Sequence, residues 1–366
     1  MRLLVATPLY PPESGGPATY AAILEETLPG EDIEVELVKF SEVRHLPKLV
    51  RHCAYFWKVY QKAKHSDIIL ALDPVSTGLP ALCASVLRRK PFVVKVVGDY
   101  AWEQGCQRYG VLSTLDVFVH ERAVPVPVSF LRFVQSLVVK SARAAIVPST
   151  YLRRIVATWG VPKEHIVVIH NAVQPEEPTT IPAEVEVLSR PRMVTIGRLV
   201  PWKGMAGIIT AVEQIRKTIP ELSLVIVGDG PERNNIETYA KARLGEGFVL
   251  TGALPHQEAL AVLKDADVFV LNSTYEGLSH LLIEALSLGT PCVATSVGGN
   301  PELVEHEANG LLVPPKDPTA LAAVCIRLLQ DATLRARFIK EGPHSMQSFT
   351  KEAMASRTAE FLRTHV

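Results

Sequence analysis

Two doubly wound α/β domains, one after the other, are the fold class that this sequence predicts. Three observations carry the prediction. The chain has 366 residues, too many for one small domain and suited to two. Short β-branched runs alternate with longer helix-patterned stretches throughout. A segment rich in proline and glutamate interrupts that alternation near the middle.

The first series of strand candidates is RLLVATPLY, DIEVELVKF, DIILALDP, PFVVKVVGD, ARAAIVPS and HIVVIHNAV. The second is RMVTIGRL, LSLVIVGDG, GFVLTGALP, ADVFVLNST and PCVATSVGG. Near-continuous apolar strands are expected where helices cover both faces of a parallel sheet. Between the series, QPEEPTTIPAEVEVLSRP (174–191) holds four prolines and four glutamates and continues neither pattern. The expected division is therefore a first α/β domain over 1–176, a linker over 177–191 and a second α/β domain over 192–349. A last helix, 350–366, is expected to pack back on the first domain. Loops from the strand carboxyl ends should face a central cleft, where open α/β sheets bind ligands.

Composition narrows the function. An apolar fraction of 48% excludes general disorder, and 38 Lys+Arg against 38 Asp+Glu argues against a nucleic-acid binder. The neutral total hides an asymmetry: residues 39–163 carry 19 Lys+Arg and seven Asp+Glu, so the first domain has a positive field of its own. The five cysteines are scattered with no CxxC pair, which suggests neither a zinc site nor a disulfide framework. The start reads as a strand rather than a leader, and no apolar run is long enough to span a bilayer. These features fit a reduced, cytoplasmic protein.

The chemistry concentrates in NSTYEGLSHLLIEALSLGTPCVATSVGG (272–299). A strand ends near Asn272 and a helix opens near Ser279, so the amides of Gly277, Leu278, Ser279, His280 and Leu281 should leave a helix N-terminus. Such amides hold phosphate or hydroxyl oxygens without side chains. Glu276 precedes that helix and Glu284 lies within it, and ionised carboxylates accept hydrogen bonds from sugar or ribose hydroxyls. The ordinary alternative is two solvated glutamates.

These residues, with VTIGRLVPWKG (194–204), LSLVIVGDGPER (222–233), ADVFVLNS (266–273), PCVATSVGGNPELV and NGLLVPPKD (309–317), resemble the family-4 retaining glycosyltransferases. The resemblance is dense from about Val194 to Asp317 and looser before. It implies the GT-B fold, two Rossmann-like domains facing a central cleft, and a nucleotide-diphosphate sugar as co-substrate, with no cofactor and no metal. It assigns Arg198 and Lys203 to the donor diphosphate, where a guanidinium fork and a point charge do different work. Glu276 then holds sugar hydroxyls and Glu284 the ribose. Gly15 and Gly16, in PPESGGPATYAA, let backbone approach the donor phosphate. Gly228–Pro231 lines the base.

Other signals are weaker. Asp265-Ala-Asp267 is formally a DxD but sits at a helix–strand junction, where aspartates are structural. Ser279 lacks the second glycine of a nucleophile elbow. Where the family often has a histidine, this chain has Val97, and Asp99 is the expected acceptor-side carboxylate, its alternative being a cap in GDYAWE. His120 reads as structural, and His280 could face the sugar. The basic, aromatic-rich stretch 46–67 is either an amphipathic surface helix or one lying on an anionic membrane surface, at the inner face of the membrane. The acceptor that fits best is a glycan or glycolipid. The competing reading is a sugar-nucleotide-binding protein of the same fold with weak catalysis; an enzyme of the same architecture that isomerises or phosphorolyses sugars is a weaker third.

Overall fold

The structure is a computed structural model that describes residues 1–13, 15–173 and 177–366, Lys48 and Leu49 in backbone only. The chain divides into two compact units, Met1–Gln174 with Phe349–Val366, and Pro175–Ser348. Gln174, Pro175 and Glu176, which open the expected interdomain break, lie outside the described residues.

The first unit runs β1 (Arg2–Thr7), α1 (Gly16–Thr27), β2 (Glu34–Lys39), α2 (Lys48–Lys62), β3 (Ile68–Ala71), α3 (Gly78–Arg88) and β4 (Phe92–Lys95). It continues α4 (Tyr100–Arg108), α5 (Leu115–Phe118), α6 (Val126–Ser141), β5 (Ala144–Val147), α7 (Thr150–Thr158) and β6 (Ile166–Val168). The sheet order is β2-β1-β3-β4-β5-β6, all parallel. Its apolar strands are buried on both faces, as their composition requires. Leu3, Val5, Leu70, Val93 and Ile146 share one cluster with α1 and with the last helix of the chain.

The second unit runs α8 (Ala183–Glu186), β7 (Arg192–Ile196), α9 (Met205–Ile215), β8 (Ser223–Val227), α10 (Arg233–Leu244), β9 (Phe248–Gly252) and α11 (His256–Asp265). It ends β10 (Val268–Leu271), α12 (His280–Ser287), β11 (Cys292–Thr295), β12 (Leu311–Val313), α13 (Pro318–Gln330) and α14 (Ala332–Ser345). Its parallel sheet is ordered β12-β11-β10-β7-β8-β9. Strand order reverses beside β7, which places the loops after β7 and β10 at a topological switch point.

Eleven expected strand segments each contain an observed strand, but β12 was not among them. Its apolar run, Leu311–Val313, is cut off by Gly310 and Pro314, whereas the equally short β6 sits in the longer apolar run HIVVIHNAV. The segment expected as a linker also holds structure: α8 lies within it, and Thr179 N–H donates to the Gln257 carbonyl at 3.3 Å. Arg190, at its end, and Arg192, just beyond, take up Asp265 and Asp267; Arg192 Nη1 meets Asp265 Oδ2 at 2.6 Å, and Arg190 Nη1 meets Asp267 Oδ2 at 3.0 Å. The DxD pair is structural, through ion pairs rather than caps.

The final helix, α15 (Lys351–His365), packs on α1. Tyr20 Oη and Thr358 Oγ1 lie 3.1 Å apart there, in a buried position. Beside them Lys95 ends β4, fully buried, its Nζ 3.8 Å from the Tyr20 ring centroid and without a hydrogen-bond partner among the described residues. Burial pushes the Lys95 ammonium down to about 7. In the unfolded chain a lysine titrates near ~10.4.

Between those values the unfolded chain binds more protons, so stability rises with pH; below the lower one both states are protonated and the penalty is constant. We expect the denaturant midpoint to climb between about pH 7 and about pH 10. Lys95→Met should be the more stable protein at neutral pH and lose that climb. A variant that keeps the wild-type slope would show that the rise comes from elsewhere.

Candidate functional site

The site in the second unit is built from backbone before side chains. Four loops leave the carboxyl ends of β7, β8, β10 and β11 and bond to one another. The loop after β7 is tied to β8 by Gly197 N–H to the Val227 carbonyl and Leu199 N–H to the Asp229 carbonyl, each 2.9 Å. It is tied to the loop after β10 by Thr274 N–H to the Trp202 carbonyl at 2.7 Å and Asn272 Nδ2 to the Gly204 carbonyl at 2.9 Å. From the loop after β11, Gly299 N–H donates to the Glu276 carbonyl at 3.0 Å.

Glycine makes this convergence possible at two places in particular. Gly204 has φ +65°, and a Cβ there would fall 2.2 Å from the Asn272 carbonyl oxygen. Gly298 has φ +56°, and its Cβ would fall 1.8 Å from the Glu276 carbonyl oxygen. Both combine a left-handed conformation with a contact that no side chain tolerates.

On this frame Lys203 Nζ donates to Glu276 Oε1 at 2.6 Å, and Ser273 Oγ donates to the same oxygen at 2.6 Å. Both ends of the Lys203–Glu276 pair are largely shielded from solvent. Such a pair holds its geometry firmly, and removing one partner leaves the other charge poorly solvated. Arg198 is different: it is exposed and makes no ion pair among the described residues, leaving its guanidinium fork available for an anion.

Ser279 caps α12, its Oγ accepting from Leu282 N–H at 3.3 Å. Gly277, Leu278 and Ser279 are buried in the approach to that helix, and His280 is its first residue. The first-turn amides of α12 therefore lie a few residues from Glu276, as the sequence suggested. Glu284, one turn further on, is half-buried, and its Oε1 lies 2.9 Å from His256 Nε2 at the start of α11.

In the first unit, Gly15 is the N-cap position of α1 at φ +144°, and Gly16 opens the helix. Asp99 is put to the alternative use: it caps α4, its Oδ1 accepting from Trp102 N–H at 2.9 Å and from Gln135 Nε2 at 3.0 Å. It is 1% exposed, and burial raises its carboxyl above the usual range despite those donors. With one oxygen taking both bonds, Asp99 fixes the start of α4 against α6. His120 is exposed on a turn.

Sequence reading assigned no role to Asn272, Ser273, Gly298 or His256. The adjacent glycines of SVGGN were the available signal for Gly298, since a glycine pair after a strand marks close backbone approach; Asn272 instead meets Gly204. His256 is far from Glu284 in the chain and carried no signal.

The backbone argument predicts a difference between two glycines. Gly298→Ala should cost at least about 2 kcal/mol more than Gly110→Ala, because Gly110 has φ +69° with open space around it and carries only the left-handed penalty of about 1–2 kcal/mol. Urea midpoints at equal m-value measure it. Equal costs would mean that the Glu276 loop moves aside freely.

Comparison with known proteins bears on both units. The model of the family "Glycosyl transferases group 1" matches residues 177–345, and that of the "Glycosyl transferase 4-like domain" matches 3–172. The 2-deoxystreptamine glucosyltransferase of Streptomyces kanamyceticus is 31% identical over 255 residues, 66% of this chain and 64% of that protein. The match thus spans less than two thirds of that relative. Sucrose-phosphate synthase from Thermosynechococcus elongatus superimposes with a TM-score of 0.78 at 22% identity, covering 99% of this chain and 98% of the other. Anabaena HepE in complex with UDP and glucose gives 0.77 at 20% identity over all of both chains. With a family-4-like first domain, a group-1 second domain and two parallel six-stranded sheets, this chain belongs to the glycosyltransferases of the GT-B fold.

Proposed function

We propose that this protein is a retaining hexosyltransferase that moves a sugar from a nucleotide-diphosphate sugar to an acceptor hydroxyl. The acceptor is a lipid-linked glycan or a cell-surface polysaccharide precursor. The observation that carries this reading is the convergence of Lys203, Glu276 and the α12 N-terminus on one set of bonded loops, with Arg198 exposed beside them. Cations and helix amides suit a diphosphate, and a carboxylate among them suits hydroxyls rather than a second phosphate.

In the proposed reaction, negative charge develops on the departing diphosphate. Arg198, Lys203 and the α12 amides stabilise it more in the transition state than in the bound donor. Lys203 is already oriented by Glu276, so little reorganisation is needed when the diphosphate arrives. Glu276 holds sugar hydroxyls, and Glu284 takes the ribose, exchanging its contact with His256 for a ribose hydroxyl. Gly15 and Gly16 supply backbone to the donor phosphate. No enzymic nucleophile is assigned; the acceptor enters on the face the leaving group vacates and gives its proton to the departing phosphate. The chemistry uses no metal and no cofactor beyond the nucleotide sugar.

The proposed site of action is the cytoplasmic face of an anionic membrane, supported by the cationic excess of residues 39–163. No described helix is long and apolar enough to cross a membrane.

A second reading has its own support. Val97 stands where the resembled family often has histidine, and Asp99 is engaged as a cap, so a binding protein with weak catalysis would look the same on the donor side. Incubation with a panel of nucleotide sugars separates the two: nucleotide binding without transfer or hydrolysis supports the second, and absence of both binding and turnover overturns each.

Two outcomes follow from the transferase reading. UDP, GDP or ADP at 100 times its dissociation constant should stabilise the fold by about 2.7 kcal/mol, read as a thermal shift. Arg198→Ala should lower kcat by about 100-fold or more. A full-rate Arg198→Ala enzyme would remove that residue from the diphosphate site.

A further inference from the structure

Every described helix of the first unit should bury its apolar face and show water a polar one. α6 does only half of this. Val128, Gln135, Val138 and Val139 are buried, yet Val126, Phe130, Phe133 and Leu137 stand 82%, 62%, 63% and 40% exposed. Their spacing of four, three and four residues puts them on one side of the helix, a continuous stripe rather than scattered surface hydrophobes.

The neighbouring helices carry exposed apolar residues of their own. α2, α3 and α6 pack side by side. α3 adds Val86 and Leu87, both more than 60% exposed, and α2 adds Trp57 at 55%. By contrast Tyr55 of α2 is core, its hydroxyl donating to the Val38 carbonyl at 2.8 Å. The stretch 46–67, which composition singled out, thus contributes one aromatic to the surface, and the larger apolar face belongs to a helix that composition did not single out.

Charge identifies what covers this face. Segments 50–66, 78–91 and 126–143 carry four, three and three Lys+Arg and no Asp or Glu. Some are engaged: Lys58 pairs with Glu42 at 2.6 Å and Lys62 with Glu36 at 3.1 Å, while Arg132 lies over Phe118 and Arg88 over Tyr60. Lys64, Arg89 and Lys140 are exposed. Glu121 and Asp116 stand near the amino end of α6; Asp116 accepts from Tyr151 Oη at 3.1 Å. A second copy docking by two-fold symmetry would set these acid-free helices against themselves, cation facing cation. An anionic lipid surface meets the same cations with opposite charge and takes the phenylalanines into its interface.

We propose that the outer face of α6 is the lipid-contact surface of this protein, with Phe130 and Phe133 entering the interface of an anionic bilayer and the cations of α2 and α3 holding its headgroups. The proposal rests on the membrane-associated reading above and assigns that contact to named residues. Peripheral binding of this kind is reversible, because one short apolar stripe and a few cations together supply modest affinity.

Sedimentation of the full chain with vesicles tests it, comparing phosphatidylglycerol–phosphatidylcholine mixtures with phosphatidylcholine alone. Binding should require the anionic lipid and weaken in high salt. The double variant Phe130→Ser, Phe133→Ser should partition about tenfold less or worse, while Trp57→Ala should lose about threefold or less. Both variants are surface changes, and an unchanged urea midpoint checks that they fold. No sedimentation with anionic vesicles, equal binding by the double variant, or a dimer in light scattering that the double variant abolishes would each overturn the proposal, the last in favour of self-association. Vesicle binding without sugar transfer overturns the transferase reading alone. Transfer to a soluble acceptor without vesicle binding overturns this proposal alone.

Discussion

The second unit depends on backbone meeting backbone. Its loops after β7, β8, β10 and β11 approach so closely that a single Cβ at Gly204, Gly228 or Gly298 would fall within about 2 Å of a neighbouring carbonyl oxygen. Everything polar in the site is suspended from that frame. Lys203 reaches Glu276 because Trp202 is bonded to Thr274 and Gly204 to Asn272. Glu276 is aimed because the Gly298–Gly299 turn grips its carbonyl. Main-chain contacts of this kind position charged groups more rigidly than side-chain packing does, which suits a site whose work is electrostatic.

The first unit solves a different problem. Its buried polar groups mostly hold secondary structure in place: Asp99 caps α4, Tyr20 meets Thr358 of α15, and Asp73 accepts from Val75, Ser76 and Thr77 backbone N–H groups. Lys95 is the exception, a cation taken out of water with only an aromatic face for company. Desolvation at such a site outweighs the cation–π attraction, so its ammonium titrates far below the ordinary lysine range. The outer helices then carry the positive field and the unburied phenylalanines.

Much of this was legible because the relevant signals are local. Apolar runs of both-faces-buried strands mark a parallel sheet wherever they occur, and eleven strands were found that way. The segment from Asn272 to Gly299 announced a strand, a capped helix and two glutamates through nearest-neighbour chemistry alone. β12 escaped because Gly310 and Pro314 close its three-residue apolar run on both sides. Asp99 was legible only as two alternatives, since a strand-end aspartate before a helix looks the same whether it faces substrate or caps the helix. Gln135, 36 residues away, donates to the same oxygen that takes the Trp102 N–H, and so holds the side chain in its capping position.

By itself, then, the sequence determined two parallel sheets, eleven of their strand segments and the glycine-bearing turns, because each follows from short-range pattern or from motif. Only the tertiary structure decided which polar groups meet and which apolar groups are left over. The Lys203–Glu276 pair joins residues 73 apart, and the Glu284–His256 contact joins residues 28 apart. The exposed stripe of α6 is likewise invisible in a pattern that shows apolar residues on both sides of the helix. Contact and burial are properties of the folded chain: a side chain's partners depend on which elements arrive beside it, and no local periodicity carries that information.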